Sequence, residues 1–159
     1  TSVAGYGLVA SAKRDDMRLV SVVMGSSSTA SRKSETRSLL NYGFRFYETI
    51  RPLVNEEALT VSRVWKGQVK EASLGVITGP VLTLPRSSAE ITPVVEVDAP
   101  LVAPLQVGDV VGRVVLTRAG ESVAEVPLEV LVAVEPAGFF ARLWDAILLW
   151  FQQLLALAQ

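Results

Sequence analysis

Cysteine and histidine are both absent from the 159 residues. Without cysteine there is no disulfide, no thiol nucleophile and no thiolate for a metal. Without histidine there is no imidazole base. Cys/His zinc sites and histidine-dependent triads are therefore excluded together. The lack of cysteine fits an oxidising or a reducing compartment equally. Charge is sparse: 19% of residues are charged, and fifteen basic against sixteen acidic residues give a formal net charge of −1. That balance leaves no electrostatic footprint for DNA or RNA. The 50% apolar content excludes a disordered tail. The chain opens at Thr1 with no charged region, apolar stretch and small-residue cleavage site in succession, so no signal peptide is expected there. It reads instead as starting inside a strand-rich segment, as a mature product or a truncated reading frame would.

Valine is abundant, and its distribution divides the chain. There are 25 valines, the last of them Val134. Valine is stiff at χ1 and suits a pleated, half-buried surface, so a mainly β fold is expected up to that point. Residues 7–12 and 17–24 read as two strands joined by Lys13-Arg14-Asp15-Asp16. Both contain consecutive apolar residues, as in a sheet covered on both faces. Gly25 and Ser26 to Ser28 then break the pattern. From Ser31 to Tyr47 the spacing turns helical, with Leu39, Tyr42 and Phe46 on one stripe and Leu40, Phe44 and Tyr47 alongside. Ser31 is the expected N-cap, and Gly43 is the weak point of that helix.

From about Ile50 to Pro136 short apolar runs recur between prolines and glycines: 59–65, 71–77, 81–84, 94–97, 110–117 and 124–134. Such runs suit a β-sandwich or small barrel. The clearest hairpin turns at Arg118-Ala119-Gly120-Glu121. After Pro136-Ala137-Gly138 the composition changes sharply. Sixteen of the 21 residues from Phe139 to Gln159 are apolar. On a helical wheel Phe140, Trp144, Ile147, Leu148, Phe151, Leu154 and Leu155 share a face, while Arg142, Asp145, Gln152, Gln153 and Gln159 lie mostly opposite, with Leu149 interrupting them. A helix of that length, roughly 31 Å, could just span a bilayer. Its Arg, Asp and Gln residues favour lying in the interface, where Trp144, Trp150 and Phe139 suit the depth. The few basic residues on its polar face disfavour strong attraction to anionic lipid. The alternatives are packing on its own protein or on a second copy in a homodimer.

A search for chemistry finds no complete site. Without histidine, an activated serine needs lysine or a carboxylate as its base. The Ser-x-x-Lys, Ser-x-Asn and Lys-Thr-Gly set is absent: Ala10, Ala30, Arg63 and Gly67 stand three places before the four lysines. No Walker loop, G-x-G-x-x-G or G-x-S-x-G occurs. Asp15-Asp16 and Glu56-Glu57 read as solvated turn carboxylates. Ser26 to Ser28 reads as a loop, and Arg32 as a first-turn arginine able to hold a carboxylate. No metal site and no cofactor are expected.

Three segments carry a family likeness. Thr1 to Ala12 (TSVAGYGLVASA), Met17 to Gly25 (MRLVSVVMG) and Leu39 to Thr49 (LLNYGFRFYET) resemble, in order, the serine-type D-alanyl-D-alanine carboxypeptidases, low-molecular-mass penicillin-binding proteins of the bacterial cell envelope. The likeness continues through Ala72 to Val76, Leu82 to Arg86, Ala99 to Leu105, Val110 to Gly112 and Pro127-Leu128, and ends in the Phe139-Phe140 tail. It implies three parts. Residues 1–47 would be two strands and a helix of the α/β penicillin-binding catalytic domain. Residues 48–137 would be a β-sandwich C-terminal domain, and 138–159 an amphipathic membrane-attaching helix. The family's nucleophile, base lysine and Lys-Thr-Gly strand would lie upstream of Thr1, so no catalytic residue is expected in this chain. Thr1, Ser2 and Arg32 would form an edge of the substrate pocket. Phe139, Phe140, Trp144, Ile147, Leu148, Trp150, Phe151, Leu154 and Leu155 would attach to the membrane. For the whole enzyme the resemblance implies peptidoglycan stem peptides and β-lactams as partners, at the periplasmic face of the inner membrane. Residues 1–47 are expected to expose a sheet edge and a helix face, while the β domain stands alone.

Overall fold

The computed structural model describes residues 4–87, 89–139 and 142–148. The chain divides into two compact units, Thr1–Arg51 with Val81–Ser88, and Pro52–Pro80 with Ala89–Gln159.

In the first unit, β1 (Tyr6–Arg14) and β2 (Met17–Ser26) form an antiparallel hairpin in register from Arg14↔Met17 to Leu8↔Val23, with a shift before the last pair, Tyr6↔Ser26. Asp15 and Asp16 make the connection. Asp15 takes φ 51°, a left-handed conformation that Asp adopts more readily than most residues. Helix α1 (Thr29–Phe46) packs on both strands. Side chains alternate across a strand. Met17, Ser21 and Val23 are therefore buried on the helix side, while Val20, Val22 and Met24 between them are exposed. The consecutive apolar runs do put apolar residues on both faces, and α1 covers one of them.

The helix starts earlier than its sequence signals. Ser28, in an extended conformation, is the N-cap, and its hydroxyl accepts the Ser31 amide at 3.0 Å. Ser31 is thus the third helical residue, and its own hydroxyl donates to Glu35 at 2.6 Å. The expected stripe of Leu39, Tyr42 and Phe46 is exposed, and the buried helical residues are Thr36 and Phe44. Gly43 has a packing reason: a Cβ there would sit 2.4 Å from Leu19 Cδ1. Tyr47 is extended and opens β3 (Tyr47–Ile50), which pairs antiparallel with β6 (Leu82–Pro85).

The second unit is built on a six-stranded sheet in the order β7-β9-β10-β5-β4-β8. Its strands are β4 (Ala58–Trp65), β5 (Glu71–Gly75), β7 (Ile91–Val97), β8 (Leu101–Val102), β9 (Val110–Arg118) and β10 (Glu121–Val130). Strands β9 and β10 make the expected hairpin, through Ala119 and Gly120 at φ 53° and 84°. Two successive positive φ values match the right-handed twist of the flanking strands. The last strand ends at Val130 instead of Val134, and Val134 meets Leu105 in an isolated bridge. β4 and β7 touch although they are four places apart in the sheet order, so the sheet curls. Inside the curl Val64, Leu74, Val76, Val114, Leu116, Leu128 and Val130 are fully buried. Each contributes about 1.5–3 kcal/mol of burial.

Candidate functional site

Arg32 sits in the first turn of α1, where its amide bonds the Ser28 carbonyl at 3.1 Å. Its Nη1 donates to the Gly7 carbonyl on β1 at 3.0 Å, and its guanidinium carbon lies 5.7 Å from the centre of the Tyr6 ring. Nε is buried without a partner. The contacts the structure gives Arg32 are a neutral carbonyl and a ring face, so its charge meets no carboxylate there. Thr1 and Ser2 lie outside the described residues. Ser26 and Ser28 serve the helix: Ser28 caps it, and Ser26 donates to Glu35. Ser26 and Ser31 both donate to Glu35, and their hydroxyls hold its carboxyl below the ordinary range.

The paired acids fall in turns. Asp16 pairs with Arg51 at 3.0 Å with both side chains exposed, and Glu56 occupies a left-handed turn at φ 58°. Lys70 is the one lysine with a side-chain bond among the described residues, and its partner is Asp145 at 3.1 Å. Among the described residues no serine–lysine pair is formed, and no group of acidic side chains is arranged to hold a metal.

One buried carboxylate, Asp145, belongs to the tail. The connection between β4 and β5 turns at Lys66, φ 60°, and pairs with the chain leading into the tail: Gly67 bridges Pro136, the Gln68 amide donates to Glu135, and the Ala137 amide donates to Lys66 at 2.7 Å. The Arg142 amide then donates to the Gly138 carbonyl at 3.1 Å, and residues 142–148 are helical. From this helix Asp145 reaches back, only 4% exposed, to accept the Lys66 amide at 2.8 Å and the Lys70 ammonium at 3.1 Å. Burial pushes its carboxyl up. The Lys66 amide and the charges of Lys70 and Arg63 together outweigh that and hold it below the ordinary range. Arg63 itself stacks on Trp65 at 3.8 Å.

With Asp145 turned inward, the large apolar residues around the rest of the helix face out. Phe139, Leu143, Trp144, Ile147 and Leu148 are all exposed, Phe139 by 73% and Trp144 by 64%. Of the residues expected to attach to a membrane, Phe140, Trp150, Phe151, Leu154 and Leu155 lie outside the described residues. No helix among the described residues is long and apolar enough to cross a membrane. Asp145, expected on the polar face of the helix, is instead buried. The only sequence signal was a single carboxylate in an otherwise apolar stretch.

Residues 47–136 match the family model of the penicillin-binding protein 5 C-terminal domain. The chain is 39% identical over 160 residues to D-alanyl-D-alanine carboxypeptidase DacC of Escherichia coli strain K12, covering 96% of this chain and 39% of that protein. It is also 39% identical over 153 residues to DacA of the same organism, covering 95% and 38%. Among solved structures, penicillin-binding protein 5 from Haemophilus influenzae superposes with a TM-score of 0.73 at 37% identity, over 85% of this chain and 40% of that one. The chain thus spans about two fifths of the length of the relatives it matches.

Proposed function

Since the chain belongs to the penicillin-binding protein 5 C-terminal-domain family and corresponds to the C-terminal portion of the D-alanyl-D-alanine carboxypeptidases, we propose that it supplies the spacer domain and membrane attachment of such an enzyme. In the whole enzyme a serine attacks the penultimate D-alanine carbonyl of a peptidoglycan stem peptide. Terminal D-alanine leaves, and water hydrolyses the acyl-enzyme. β-Lactams acylate the same serine. The second unit holds the catalytic part away from the periplasmic face of the inner membrane, and the tail lies in that surface. Thr1 and Ser2 belong to the edge of the substrate pocket in that enzyme. Arg32, whose guanidinium meets no carboxylate among the described residues, stands at the pocket edge.

The observation that carries this reading is the inward-bonded Asp145 with the apolar residues of the same helix turned out. A helix packed for core burial would present the reverse pattern. Vesicle flotation of the chain with and without residues 138–159 tests attachment. Flotation only with the tail is expected, and equal flotation would remove the proposal.

A second reading is favoured by the absence of a serine–lysine pair among the described residues: a non-catalytic, membrane-tethered envelope module. The intact mass of the native gene product separates the two. A product well above 17.1 kDa carries the enzyme reading, and one at that mass carries the module.

A further inference from the structure

Where the tail meets the second unit lies a groove of about 390 Å³ lined by Lys66, Phe139, Arg142 and Leu143. Two cations and two apolar side chains face it, and among the described residues no carboxylate does. We propose that this groove receives the headgroup of an acidic phospholipid, with the phosphate between the Lys66 ammonium and the Arg142 guanidinium and the start of the acyl region against Phe139 and Leu143. The proposal rests on the reading of the tail as membrane-attaching and names the lipid chemistry it selects.

The two cations come from distant parts of the chain, and the Asp145 bonds bring them together. Arg142 and Asp145 are three residues apart on one helix and so share a face. Asp145 accepts the Lys66 backbone amide, which sets the Lys66 residue beside the Arg142 turn. The Lys66 carbonyl is taken by the Ala137 amide, so its backbone is fixed at both ends and its side chain stays available. Neither the Lys66 ammonium nor the Arg142 guanidinium has a carboxylate partner among the described residues. The one carboxylate close by, Asp145, is already held by the Lys66 amide and by Lys70, with Arg63 adding positive charge behind it. Glu71 and Glu135, next along the chain, do not line the groove.

A free anion would be satisfied by the cations alone. The exposed Phe139, Leu143 and Trp144 beside them match the boundary where headgroups meet acyl chains. The helix alone carries a single basic residue among its described positions. The second cation arrives from the β4–β5 connection, which is why reading the tail by itself points away from acidic lipid.

The test is flotation of the full chain with vesicles of phosphatidylcholine alone and of phosphatidylcholine with phosphatidylglycerol, at low salt. Each basic group near an acidic surface raises partitioning about fivefold, so acidic lipid should strengthen binding by roughly 25-fold. Lys66→Gln and Arg142→Gln should each remove about fivefold of that gain. The double variant should bind both vesicle types equally, at the unchanged phosphatidylcholine level. Lys33→Gln, in the first unit, should alter nothing. Because the Lys66 contact to Asp145 is through the backbone, unchanged circular dichroism and amide exchange of the second unit are expected in both variants. Equal binding of the unaltered chain to the two compositions, or a preference that survives in the double variant, would overturn the headgroup site while leaving membrane attachment standing. Loss of the preference to inorganic phosphate at matched ionic strength would make the groove a free-anion site and overturn the lipid assignment. No binding to either vesicle would remove membrane attachment itself.

Discussion

Asp145 accepts the backbone amide of Lys66 at 2.8 Å although the two residues stand seventy-nine positions apart. The bond ties the tail helix to the β4–β5 connection through a main-chain donor, which no side-chain substitution at Lys66 removes. Hydrogen bonds to charged groups contribute about 1.5–3 kcal/mol. The Lys70 ammonium is more than half exposed, so its pairing adds little beyond this. Asp145→Ala leaves the Lys66 amide without its acceptor and is expected to release the helix, with amide exchange at 142–148 accelerated and the rest of the second unit protected as before. Asp145→Asn keeps an acceptor and should lose less. Unchanged exchange in the alanine variant would show that the helix is held by something else.

The same carboxylate sets a pH dependence. Its folded value lies below the ordinary one, because the Lys66 amide and the Lys70 charge outweigh the effect of burial. The unfolded or undocked state therefore binds more protons in the acid range, and stability rises with pH there. The contribution is fully present above the unfolded value near 4 and is lost as pH falls through the lower folded value. Protection at 142–148 should accordingly be flat at neutral pH and fall only in acid. Asp145→Asn should flatten that acid limb, and a profile identical to the unaltered chain would reject this assignment.

Much of the fold was legible in period and punctuation. The two hairpins, the position of α1 and most strands of the second unit follow from apolar runs between turn residues. Where the reading slipped, a tertiary partner decided. Ser28 and Ser31 are equally good caps by composition, and Ser28 prevails because it is the one in extended backbone. Gly43 weakens the helix by propensity, yet Leu19 occupies the space its side chain would need. The last strand stops at Val130: its ladder with β5 runs only through Glu129 and Val130, and one further bond, from the Leu131 amide to the Ser73 carbonyl at 3.0 Å, closes the contact. The candidate site was harder. Asp145 and Lys66 have no sequence relationship, so a lone carboxylate in an apolar tail reads as solvated until its partner is placed.

Two glycines with positive φ should respond very differently to alanine. At Gly112, φ 156°, a Cβ would sit 2.1 Å from the Glu96 carbonyl oxygen and 3.0 Å from Val97 Cα, both backbone atoms of the paired β7. Neither can yield without disturbing the β7–β9 ladder. Gly120, φ 84°, has nothing within 4 Å and carries only the conformational penalty, about 1–2 kcal/mol. Gly112→Ala is expected to cost more than this, roughly 3 kcal/mol or above, as overpacking adds to the backbone term. Denaturant titration of both variants decides it, and equal losses would show that the strands part more easily than the register implies.

The last prediction concerns how unevenly the chain is held. Of the eighteen buried apolar residues among the described positions, Met17, Val23 and Phe44 lie in the first unit, and the other fifteen in the second. The first unit leaves Val9, Val20, Val22, Met24, Leu39, Tyr42 and Phe46 exposed. Some of them line an open apolar groove of about 660 Å³ between β2 and α1. Local stability follows buried apolar contact, so amides of β1, β2 and α1 should exchange well before those of β9 and β10. A dye that fluoresces on apolar surface should bind the chain. Substitutions should divide the same way: Met24→Ser removes an 82% exposed side chain and should shift stability by less than about 0.5 kcal/mol. Val64→Ala deletes a fully buried one and should cost about 2–3 kcal/mol in the second unit. Full protection of β1 and β2 to the level of β9 and β10 would mean that the first unit is stabilised by burial its exposed faces do not account for, and the division argued here would fail.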